Sequence, residues 1–128
     1  MKKDKFGQAR ILSPEELDQL IAAIPYSHHK VLAILLRYSG CRCTEAAKSK
    51  WKNYSSDFLL LPKPDTKTDT SRSIPINNKL KLELDLWKEH SKPLNDDEYI
   101  FKGRFANSHL KRQSFDKAIR KYSPFKDV

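Results

Sequence analysis

Few side chains in this chain have types and spacing suited to chemistry, and the first is Arg42, set between two cysteines in "SGCRCTEAAKSKW". It follows Gly40, a residue that ends helices, and stands just before a new helix start, so it leaves the backbone at a junction. A guanidinium there can reach outward and hold a phosphate through two parallel hydrogen bonds. The plainer alternative is a surface ion pair with Glu45. Cys41 and Cys43 form a lone C-x-C with no second pair to complete four metal ligands, although His28 and His29 lie nearby in sequence. They read as reduced, small apolar side chains facing the core, and no metal is expected.

The charge distribution gives these residues a setting. The chain has 128 residues and a net charge of +9. Residues 1–12 carry four basic groups and one acid, residues 13–101 carry thirteen of each, and residues 102–128 carry eight basic groups and two acids. A neutral body with basic ends points to a polyanionic partner, bound by release of counterions. No apolar run approaches the ~20 residues that span a bilayer. The opening "MKKDKFGQARIL" lacks the apolar stretch of a signal peptide. A cytoplasmic protein is expected, with a nucleic acid as its polyanionic partner, no membrane, no small-molecule ligand and no cofactor.

The elements that must position Arg42 follow from punctuation and period. Ser13-Pro14-Glu15-Glu16 is a helix start, with Ser as cap, Pro first and Glu third. Leu17, Leu20, Ile21 and Ile24 repeat at helical spacing until Pro25. A second helix is expected from about His28 to Tyr38, ended by Gly40, and a third capped by Thr44 and running to about Lys52. From Phe58 the pattern changes: "DFLLLPKPDTKTDTSRSIPI" has apolar ends and a turn-rich centre, which reads as short strands with edge character. In "NNKLKLELDLWKEH" four leucines alternate as in a strand. Yet Leu80, Leu84 and Trp87 share one helical face and Leu82 and Leu86 another, and the residues are good helix formers, so a helix capped by Asn77 or Asn78 is expected. "KGRFANSH" reads as loop, and Phe115, Ala118, Ile119 and Tyr122 mark the face of a last helix. The fold class is therefore α+β: mainly α-helical, with a small antiparallel three-stranded sheet.

"YSGCRCTEAAKSKWKNY" resembles the arginine box of the tyrosine recombinases (phage integrases), with Tyr38, Ser39, Gly40, Arg42, Glu45 and Trp51 matching. "DTKTDTSRSIPI" is similar to that family's β-hairpin, where Lys67 falls on the catalytic lysine and Arg72, Pro75 and Ile76 on the strand after it. "LSPEELDQLI" is similar to the first helix of the catalytic domain. The resemblance covers about Leu12 to Tyr122 and implies a DNA strand transferase in which a tyrosine attacks a phosphodiester, leaving a 3′-phosphotyrosyl link. It further implies that Arg42 stabilises charge on the non-bridging oxygens of the transition state. Lys67 would protonate the leaving oxygen, and Glu45 would hold Arg42 in place. Arg72, Arg104, Lys111 and Arg112 are the expected DNA contacts, and other recombinase protomers the expected partners in the full-length protein.

The departures from the family pattern are equally specific. Its second half carries a His-x-x-Arg box and the nucleophilic tyrosine, whereas this chain stops at "SPFKDV". "HLKR" at His109 to Arg112 is not that box, because "QSFDKAIRKY" after it resembles the helix that precedes the box. None of Tyr26, Tyr38, Tyr54, Tyr99 and Tyr122 fits the nucleophile, and the family's N-terminal clamp domain is missing. Residues 1–128 thus read as a partial integrase catalytic domain, either a truncated gene product or a cut-out fragment, that should not cut DNA unaided. Residues 1–12 form a basic segment, 13–56 the helices with the arginine box, 57–77 the hairpin with the lysine, and 78–128 helices and loop. The competing expectations are a non-catalytic basic DNA-binding module that regulates recombination, and a protein-interaction fold with solubilising ends.

Overall fold

The computed structural model describes residues 12–61, 72–105 and 107–125. Five helices and one hairpin follow in the order α1 (Pro14–Ala23), α2 (His28–Ser39), α3 (Cys43–Ala47), β1 (Phe58–Leu61), β2 (Arg72–Pro75), α4 (Asn78–Ser91) and α5 (Arg112–Tyr122). A single 3₁₀ turn, Trp51–Asn53, lies between α3 and β1.

Local chemistry sets most boundaries. Ser13 and Glu16 form the reciprocal cap of α1, the Ser13 hydroxyl accepting from Glu16 N–H and the Glu16 carboxylate from Ser13 N–H, at 3.2 and 3.0 Å. At the other end the Lys30 ammonium donates to the Ile21 and Ile24 carbonyls, each at 3.0 Å, which satisfies the end of α1 and fixes its corner with α2. Asn77 caps α4 by accepting from Leu80 N–H at 2.8 Å. The alternating leucines therefore lie on a helix: Leu80, Leu84 and Trp87 are buried, while Leu82 and Leu86 remain exposed.

Two expectations need correction. The third helix is capped at Arg42, not Thr44, and ends at Ala47 rather than near Lys52. The reason is competition for the backbone that follows. Ile100 N–H donates to Ser49, Trp51 N–H to Glu98 and Lys52 N–H to Asp96, so residues 49–52 pair with 96–100 instead of continuing a helix. The sheet has two strands, not three, among the described residues. The place of a third is taken by an isolated bridge, Tyr54 to Leu59, because Ser55 caps the start of β1 and turns the chain too tightly for a longer ladder.

β1 and β2 are antiparallel, with Leu59 opposite Ile74 and Leu61 opposite Arg72. Leu59, Leu61 and Ile74 point into the core, and Phe58 and Leu60 point out, as a period of two requires. The core centres on α2, where Val31, Leu32 and Leu35 are fully buried; α1, α3 and α4 all pack against that helix. Trp51 and Phe101 fill the side reached by the 49–52 and 96–100 pairing, and the Trp87 indole donates to the Ile100 carbonyl at 2.8 Å. α5 lies across α1 and α3, burying Phe115, Ala118 and Ile119, with Tyr122 partly covered. No helix among the described residues is long and apolar enough to cross a membrane.

Candidate nucleic-acid interface

The junction between α2 and α3 is built before Arg42 is reached. Ser39 donates to the Leu35 carbonyl at 2.6 Å, Gly40 N–H donates to Leu36 at 3.1 Å, and Gly40 then takes the left-handed conformation, φ 71°. Cys41 N–H turns back to the Ser39 hydroxyl at 3.3 Å and its thiol is buried. The chain thus anchors at Cys41 and exposes the next side chain, Arg42. The Glu45 carboxylate accepts from Arg42 N–H at 3.1 Å. A guanidinium cannot return that bond, since it has no acceptor, so Glu45 holds the arginine by its backbone and leaves the cationic head outside.

Arg42 opens onto a groove of about 890 Å³ between α1, α2, α3 and α5. Its floor is apolar, from Leu20, Ile21, Leu36, Phe115 and Ile119 among others, and its rim includes Arg42, Glu45, Lys48, Arg112 and Asp116. Arg112 is tied to Asp116 one turn along α5, Nε to Oδ2 3.7 Å. The groove therefore brings together three residues singled out from the sequence, Arg42, Glu45 and Arg112. Cys43 lies beside them, and burial pushes its thiol up to about 11, with the Asp116 carboxylate reinforcing the effect. Neither Cys41 nor Cys43 takes part in a disulfide.

Arg104 and Lys111 stand elsewhere, lining a second hollow with His109, Gln113, Ser114 and Lys117. The loop that carries Arg104 is closed by Gly103 N–H to Ser108 at 2.9 Å and Leu110 N–H to Phe101 at 2.8 Å. The two hollows share the N-terminal end of α5. That helix exposes Arg112, Gln113, Ser114, Lys117, Arg120 and Lys121 opposite its buried face. Arg72 is paired in β2 with Leu61. Lys67, expected to protonate the leaving oxygen of the phosphate that Arg42 holds, lies outside the described residues.

Arg37, Lys48 and Lys117 are cations lining the two hollows that reading of the sequence missed. Lys117 was legible: Phe115, Ala118 and Ile119 define the inward face of α5, and position 117 points away from it. Lys48 was hidden by the assumption that α3 runs on to residue 52.

A mainly helical domain with a short hairpin, an outward arginine at a helix junction and a cationic last helix is the class that fold and site define. The sequence profile of the phage integrase family matches residues 10–124, and the chain belongs to that family. Among solved structures it is similar to the crystal structure of XerA recombinase, with a TM-score of 0.71 and 16% identity. That match covers 90% of this chain and 42% of the XerA chain, so this chain spans less than half of that protein's length. No curated protein matches it in sequence.

Proposed function

We propose that this chain is the front half of a recombinase catalytic domain and that it binds duplex DNA, with Arg42 gripping the phosphate at which strand cleavage occurs in a complete enzyme. The observation that carries this reading is the junction itself: Gly40 and the Glu45 carboxylate fix the Arg42 backbone while its head stays exposed on a cationic rim. A preorganised guanidinium favours the excess charge of a pentavalent phosphorus over the ground state, because it needs no reorientation as that charge develops. In this reading Glu45 positions Arg42, and Lys67 protonates the leaving oxygen. Arg72, Arg104, Lys111 and Arg112 contact the phosphate backbone. In this reading residues 1–128 hold neither the His-x-x-Arg box nor a nucleophilic tyrosine, and the chain by itself cuts no strand.

The test is fluorescence anisotropy with duplex DNA at two salt concentrations. Affinity of about 10⁻⁵ M, falling as salt rises and nearly blind to sequence, is expected. Arg42→Ala should weaken binding and reduce the salt slope by about 1. Salt-insensitive affinity refutes electrostatic binding, and a covalent adduct on a nicked substrate refutes the missing nucleophile. The cationic face of α5 supports a second reading, a non-catalytic DNA-binding module. Under it Arg42→Ala is silent, whereas Lys117→Ala and Arg120→Ala are not.

A further inference from the structure

α4 commits only part of its circumference to the domain. Leu80, Leu84 and Trp87 are buried toward α2 and the core. Its flanks are engaged as well: the Tyr54 hydroxyl donates to Asp85 at 2.8 Å, the Lys88 ammonium stands 5.5 Å from the Trp51 ring centre, and His90 stacks on Trp87. The outward side of the helix carries a stripe of Lys79, Leu82, Leu86 and Glu89, at helical steps of three, seven and ten. Leu82 is 59% exposed and Leu86 45%. Neither Lys79 nor Glu89 forms an ion pair with a described residue.

The charges on this stripe run against the helix that bears them. Lys79 lies in the first turn of α4, near the positive end of its dipole, and Glu89 lies in the last turn, near the negative end. Within one chain both placements are unfavourable. They become favourable against an antiparallel copy, which sets each charge beside its opposite and opposes the two dipoles.

We propose that this stripe is the contact between two copies of this chain, α4 against α4, around a two-fold axis that passes between Leu82 and Leu86 on the outward face. In that register Leu82 meets Leu86 of the second copy and Lys79 meets its Glu89, and symmetry repeats each pair. A parallel arrangement would instead put lysine on lysine and glutamate on glutamate, so the charges select the antiparallel one. The stripe is neutral in sum, which sets it apart from the cationic face of α5 and makes a polyanion the wrong occupant. Two leucines a side make a small, reversible interface.

Sedimentation of the nucleic-acid-free protein at low ionic strength, from micromolar to near-millimolar concentration, tests this. A monomer–dimer equilibrium is expected. Lys79→Glu and Glu89→Lys, each replacing two attractions by two repulsions, should each weaken it about tenfold. The combined Lys79→Glu/Glu89→Lys chain restores the pairs in reverse and should return to within about threefold of the starting affinity. Leu82→Asp should abolish association. A protein that stays monomeric to near-millimolar concentration overturns the proposal. So does a double variant that associates no better than the singles, because a non-specific apolar patch has no register to restore.

Discussion

Replacing Gly40 by alanine tests whether backbone conformation, rather than packing, sets the direction of Arg42. Gly40 has φ 71°, and a Cβ built there meets nothing within 4 Å. The cost is therefore conformational: a left-handed alanine is about 1–2 kcal/mol less favourable than a right-handed one. Alanine also restricts the unfolded chain, which returns about 0.4–1 kcal/mol. The expected net loss is about 1 kcal/mol, read as an earlier midpoint in urea unfolding with unchanged slope. Gly40→Asn should lose less, since asparagine tolerates this conformation through local hydrogen bonding. Gly103 provides the contrast. A Cβ there would lie 2.3 Å from the His109 carbonyl oxygen, which is backbone and cannot swing aside. Gly103→Ala should therefore cost more than Gly40→Ala, about 2 kcal/mol or above, because the loop must open. The reasoning fails if Gly40→Ala is as damaging as Gly103→Ala, or if Gly40→Asn is the worse of the two changes at position 40.

Acid should weaken the fold through the imidazoles at the start of α2. Burial, with His29 adding to it, lowers His28 to about 4, and burial lowers His29 as well. A depressed imidazole keeps the native state neutral while the unfolded chain takes up protons below about pH 6.5. Stability should thus be flat above that pH and fall from there toward about pH 4; His28→Gln should flatten part of the fall in a urea series across that window. Cys43 should react with iodoacetamide far more slowly at pH 8 than a free thiol, with the rate still climbing toward pH 11, because burial disfavours the thiolate. A fast reaction at pH 8, followed by mass spectrometry, would show that the groove beside Arg42 is wetter than described.

The parts of the fold legible in the sequence were those set by short-range chemistry. The capping box at Ser13, the glycine stop at Gly40 and the apolar face of α5 each depend on residues within seven positions of one another. α4 was legible only through helix propensity and its Asn77 cap, since its leucines satisfy both periods. What escaped was non-local. Nothing around Lys48 announces that Ser49 and Trp51 will pair with residues some 50 positions away, and that pairing is what shortens α3. The same holds for the site. Arg42 and Glu45 are three residues apart and could be read together, whereas the approach of Arg112 to them depends on how α5 crosses α1 and α3.

The pairing of residues 49–52 with 96–100 also has a consequence for how such a chain can vary over generations. It draws together the two ends of a stretch that contains β1, β2 and α4, as a purse string closes a bag. Because the knot is made of backbone groups, the exposed side chains of Lys52 and Asp96 can be exchanged for others without loosening it, and the neck keeps its place through such changes.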